Sequence, residues 1–197
     1  MPDTPHDSSS FRHPPRALKA LTVMCLAAGL LVRCLATQGE LWLDELWSLL
    51  HVAGAKTPIE LVTTIKHDNN HLLNSFWMWL VGQHAAPFVY RLPSLAFSIA
   101  LLLLIWRSSC SGRDGRIQAI WCILVAVSYP LTLYGSEARG YALALLMSLM
   151  GYVSLSRLIA APYNSRAILT FSVASSIGLV AHAIYILFLA PAIAWLG

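Results

Sequence analysis

The 197-residue chain is 57% hydrophobic and only 11% charged, against roughly 45–50% and about 25% in an average soluble domain. A chain of this length has no core large enough to hide that much apolar side chain, so the surplus must face lipid, which excludes an ordinary soluble domain. The net charge of +4 is scattered among apolar runs without a continuous basic stripe, which excludes nucleic acid as a partner.

Residues 1–16 (MPDTPHDSSSFRHPPR) are rich in Pro, Ser and charge and read as a disordered cytoplasmic tail. The first apolar run, Ala17–Ala36, carries Lys19 at its start and Arg33 near its end. Arg33 ahead of Cys34 is not the small or polar flank of a signal-peptide cleavage site, so the run is predicted to stay as an anchor. Leu92–Trp106, Ile117–Leu133, Tyr141–Ser156 and Ile168–Ala190 follow. The second run reaches spanning length, about 17–20 residues, only if Tyr90 and Arg91 snorkel at its edge. The stretch His71–Val81, with Trp77 and Trp79, is too short to cross and is predicted to lie in the interface. Cys25, Cys34, Cys110 and Cys122 show neither zinc-site nor disulfide spacing and read as packing residues.

Leaving His71–Val81 uncrossed puts Arg12, Arg16, Lys19, the 107–116 loop and the 157–166 loop on one side, which the positive-inside bias makes cytoplasmic. The expected fold is therefore all-α: a polytopic transmembrane helix bundle of about five spans over 17–197, with an interfacial helical outer loop at 37–91. The N-terminus is expected on the cytoplasmic side. Segments 37–91 and 134–140 then share the outer face.

Four polar features resist a purely structural reading. Asp44 and Glu45 sit among Leu and Trp just above a span, where apolar neighbours favour a proton-accepting carboxylate; an interfacial helix with an acidic first turn is the plain alternative. His67-Asp68-Asn69-Asn70-His71 gathers oxygen and nitrogen donors that suit a divalent metal, a sugar hydroxyl or a helix cap. The link Tyr134-Gly135-Ser136-Glu137-Ala138-Arg139-Gly140-Tyr141 must hold Glu137 and Arg139 at the surface or pair them, and equally suits a plain hairpin. His182, followed by Tyr185, falls inside the fifth run, as a functional group or as a neutral packed imidazole.

Together these segments resemble the GT-C glycosyltransferases of the protein O-mannosyltransferase and aminoarabinose-transferase type. The resemblance runs through Trp42-Leu43-Asp44-Glu45, then Asp68-Asn69-Asn70-His71, then Arg91-Leu92-Pro93-Ser94. It continues through Tyr134–Leu143 and the His182/Tyr185 pair, in the family's order over residues 20–190. The family's paired prolines after His71 are replaced by Leu72-Leu73. Family members carry about twice as many spans, so the resemblance implies the N-terminal portion of such an enzyme or a truncated copy. It further implies a bacterial cytoplasmic (inner) membrane, with transfer of a sugar from a polyprenyl-phosphate donor to a hydroxyl of lipid, glycan or protein at the outer face. Asp44 would be the base and Glu45 its orienting partner or a metal ligand. Arg139 would hold the donor phosphate, with Glu137, His71, Asp68, Tyr134 and His182 around donor or acceptor. A divalent metal is compatible with this set and not required by it. The alternative is a non-enzymatic polytopic membrane protein, such as a transporter fragment or an assembly subunit.

Overall fold

The computed structural model describes residues 15–63, 71–108 and 115–196. Helices α1 (Arg16–Ala36), α2 (Leu43–Ala53), α3 (Glu60–Thr63), α4 (Leu72–Val81) and α5 (Pro87–Ser108) come first. They are followed by α6 (Gly115–Val127), α7 (Tyr129–Ser136), α8 (Tyr141–Ala160), α9 (Ser165–Ala181), a 3-10 turn (Ala183–Tyr185) and α10 (Ile186–Leu196). No strand occurs among the described residues. Three helices, α1, α5 and α8, are long and apolar enough to cross a membrane, and α6 with α7 makes a fourth if the bent pair is one span. The chain has the makings of an integral membrane protein.

Local chemistry sets the helix limits. Asn164 caps α9 by accepting from the Ala167 N–H at 3.1 Å. Gly82, at φ 82, ends α4 in a conformation that suits a residue without Cβ. Two prolines interrupt the backbone ladder, and a side chain takes up each freed carbonyl. Pro93 inside α5 leaves the Val89 carbonyl without its i+4 donor, and the Trp77 indole supplies one at 3.0 Å. Pro130 in the first turn of α7 does the same to Ala126, whose carbonyl accepts from Arg33 at 3.0 Å.

The spans differ from the sequence expectation in three places. The second starts at Pro87, and Arg91 does not snorkel to its edge; it is buried, drawn inward by the Glu45 carboxylate. The third bends by 54° at the extended residue Ser128. The fifth run is not one helix. It stops at Ala181, and His182 is extended (ψ 134), its Nδ1 accepting from the Ile184 N–H at 3.1 Å to start the 3-10 turn. Gly178 gives room for the Tyr185 ring to fold back against α9, and Phe188 packs on Gly151 of α8.

Two apolar clusters hold the molecule. One joins α5, α8 and α9 through Leu101, Leu143, Leu146, Met147, Ala174 and Ala181. The other lies under the segment between α1 and α5 and gathers Leu49, Val52, Leu61, Met78, Tyr90 and Ala138. It packs α2 on α4 and fixes both against the start of α5. Trp79 Nε1 to Ala55 O (2.9 Å) and Gln83 Nε2 to Leu49 O (3.3 Å) tie the same elements. Leu43, Leu46, Trp47 and Leu50 form an exposed apolar stripe on the opposite side of α2. Helix α4 is short and apolar, too short to cross a membrane.

Candidate functional site

Asp44 and Glu45 are adjacent in the chain, but about 100° per residue on α2 sends them to different environments. Glu45 points inward and is fully buried. Its Oε1 accepts from Arg91 Nε at 2.9 Å and from the Ala138 N–H at 2.5 Å. Its Oε2 accepts from Arg91 Nη2 at 2.6 Å and from the Trp42 N–H at 2.8 Å. Arg91 spends its remaining donors on the carbonyls of Thr37 (3.2 Å), Gly39 (2.6 Å) and Glu40 (2.6 Å). All five guanidinium N–H groups are therefore engaged. This closed pair ties four segments together: the exit of α1, the start of α2, the start of α5 and the link after α7. With both oxygens occupied, Glu45 has no lone pair left for a metal or a substrate proton and acts as a positioning group.

Asp44 points outward, with its side chain 63% exposed, and forms an ion pair with Arg139 Nη2. The dry, tryptophan-walled surround expected for it is absent, because Trp42 and Trp47 are themselves exposed. Arg139, mostly buried, has Glu137 Oε2 3.9 Å from its Nε on the other side. Its guanidinium carbon also stands 5.7 Å from the centroid of the Tyr141 ring. Burial and then the nearby Glu45 push the Glu137 carboxyl above its ordinary range, while Arg91 works against them.

The link carrying Glu137 and Arg139 is held by its backbone. Asn74 Nδ2 donates to Ala138 O at 2.6 Å, and Ser94 Oγ to Arg139 O at 2.9 Å. Gly140 is required by space: a Cβ there would collide with the Ala181 carbonyl and stand 2.9 Å from the His71 Cβ.

Beside this link runs a column of rings. Tyr134 and Tyr141 lie 4.4 Å apart, Tyr141 and His182 4.2 Å, and His182 and His71 6.0 Å. Tyr134 belongs to the last turn of α7 and is half-buried. His71 Nε2 meets Ser48 Oγ at 2.9 Å, and Ser48 Oγ donates to the Asp44 carbonyl at 2.9 Å, so Nε2 carries the proton there. His182 sits between α9 and the 3-10 turn, level with Gly140 and outside the helical spans. Burial, then His71 and Arg139, push its pKa down to about 4, so the ring is neutral near pH 7. Its Nδ1 is the acceptor for Ile184 N–H, which places the proton on Nε2.

Of the residues singled out in the sequence, Asp44, Glu45, His71, Tyr134, Glu137, Arg139 and His182 come together in one region. Asp68, with His67, lies outside the described residues. Among the described residues no three His, Cys, Asp or Glu side chains are grouped to hold a metal. Arg91, Asn74, Ser94, Ser48 and Tyr141 complete the region without having been assigned a role there. Arg91 and Ser94 gave a signal in the Arg91-Leu92-Pro93-Ser94 segment, and Tyr141 as the last residue of the Tyr134–Tyr141 link; Asn74 and Ser48 gave none. Comparison with protein-family models, with curated proteins and with solved structures finds no match to this chain.

Proposed function

We propose that this region is the acceptor and phosphate site of a membrane glycosyltransferase of GT-C type, working at the outer face on a polyprenyl-phosphate-linked sugar. The observation that carries the reading is the Asp44–Arg139 pair. A solvent-accessible carboxylate and a guanidinium from distant parts of the chain are held together by a scaffold that uses up the other charges around them. In the resting site they neutralise each other. A donor phosphate takes the guanidinium, which grips phosphate oxygens bidentately, and releases Asp44 to act as base. The acceptor hydroxyl oxygen then bonds to the anomeric carbon as its proton passes to Asp44. The bond from anomeric carbon to phosphate oxygen breaks on the opposite face with inversion, and Arg139 stabilises the phosphate that leaves. Glu137 steadies Arg139, and the neutral His182 offers an Nε2–H donor in the same region. The five-span topology, with α9 as the last crossing and the link outside, belongs to this proposal, as does the bacterial inner membrane.

A transporter fragment is the second reading, favoured by the two broken apolar runs, since discontinuous helices mark transporter ion sites. At the first break, however, the released carbonyls are already filled by Arg33, which leaves no vacant cation site there.

The experiment is donor turnover. Purified protein in liposomes is given a radiolabelled polyprenyl-phosphate sugar and a lipid or peptide hydroxyl acceptor. Release of polyprenyl phosphate, lost in both Asp44→Asn and Arg139→Met with insertion intact, is the expected outcome. Asp44→Asn turning over donor at the wild-type rate removes Asp44 as base.

A further inference from the structure

We infer that Arg33 is a positioning residue, whose guanidinium closes the break between α6 and α7 and so sets where the Glu137–Arg139 link meets Asp44. A continuous helix would satisfy the carbonyls of Val125 and Ala126 with the N–H groups of residues 129 and 130. Here Ser128 is extended and Pro130 has no N–H. Arg33, reaching across from α1, supplies both donors: Nη2 to Val125 O at 3.2 Å and Nη1 to Ala126 O at 3.0 Å. Nη1 also donates to Gly29 O and Nε to Ser98 Oγ, each at 2.9 Å. The side chain is 0% exposed. Every one of these acceptors is neutral, so the negative end of the α6 dipole faces the cation where a carboxylate would ordinarily stand. A buried cation inside an apolar span is costly and calls for a role.

The packing shows what that role is. Helices α1 and α6 meet backbone to backbone at the break, because a Cβ on Gly29 would stand 2.5 Å from Ala126 O. At the far end of α7 a Cβ on Gly135 would collide with Ser98 Oγ and lie 3.6 Å from Arg33 Nε. One guanidinium therefore holds the end of α6 through the released carbonyls and, together with Ser98 of α5, lies against Gly135 in the last turn of α7. Glu137 follows that last turn directly, so the bend held by Arg33 fixes the height and direction at which the link leaves the bundle. The inference concerns the Asp44–Arg139 pairing itself. It depends on the proposed transferase only for the loss of activity that would follow.

The test uses cysteines at 44 and 139 in a background with Cys25, Cys34, Cys110 and Cys122 replaced by Ser, joined by a short bifunctional methanethiosulfonate. These cysteines abolish the ion pair, so the cross-linking rate reports placement alone. R33M is expected to slow it about ten-fold, as one thiol leaves the effective-concentration range of the other, with single-site labelling unchanged. R33K, a point charge that cannot serve Ser98 and both carbonyls together, is expected to slow it as well. Adding P130A to R33M returns an N–H to Ala126 O. It should raise the unfolding temperature without restoring the cross-link, because α6 and α7 then straighten. A cross-linking rate within about two-fold of the background in R33M, a change too small to signal displacement, overturns the inference. The same result in R33K overturns it if R33M does not insert, and so does recovery of both stability and cross-linking by P130A.

Discussion

Replacing Arg91 with Met should be among the most damaging single changes in the region around Glu45 and Ala138. The Arg91 and Glu45 side chains are 1% and 0% exposed, so neither charge has water to fall back on. Without the guanidinium, Glu45 keeps only the Trp42 and Ala138 N–H groups, two of its four donors. The carbonyls of Gly39 and Glu40 belong to exposed residues and can turn to water, so they add little. A broken buried pair costs about 3–5 kcal/mol. Glu45→Met strands Arg91 instead, and also loses the carboxylate that accepts from Trp42 N–H at the head of α2, at about 1 kcal/mol more. The double variant buries no charge, and its loss should fall about 2–3 kcal/mol short of the sum of the singles. Reversible unfolding in mixed micelles, titrated with dodecyl sulfate and followed by tryptophan fluorescence, measures all three. A loss below about 1 kcal/mol in Arg91→Met, the range of an exposed pair, would refute the reasoning, and so would strict additivity in the double variant.

Gly140→Ala forces a methyl group against the Ala181 carbonyl at the meeting of α8 and α9 and should cost about 2 kcal/mol in the same assay. For Glu137 the folded carboxyl is raised above its ordinary value near 4.5, so the folded state holds the proton more tightly than the unfolded chain does. Its contribution to stability is fully present below that value and is lost as pH rises through the folded pKa. The stability of Glu137→Gln relative to wild type should therefore improve as pH is raised above 4.5, a trend visible in melting curves at several pH values. Impermeant thiol labelling of single cysteines should reach positions 56 and 84 from outside and position 110 only from within.

Composition and apolar run length were enough to foresee α1, α5 and α8, because a spanning helix is a local property of some twenty residues. The breaks at Ser128 and His182 were not legible. The carbonyls freed beside Pro130 are satisfied by Arg33, over ninety positions away, and nothing local in an apolar run reveals such a partner. Arg91 was misread for the same reason. A cation near the end of an apolar run looks like a snorkelling group until a buried carboxylate 46 positions earlier is seen to face it. The acidic pair shows the opposite limit. Its position in the site was readable, yet the sequence treats Asp44 and Glu45 as one unit, whereas the helix gives one to solvent and the other to the core.

Placement of Asp44 and Arg139 side by side on the non-cytoplasmic face is the claim on which the functional account stands. In intact cells, an impermeant bifunctional thiol reagent added outside should join cysteines at 44 and 139 into a single cross-linked species. Labelling of the two positions from opposite sides of the membrane, or labelling of both from outside without any cross-link, would contradict it.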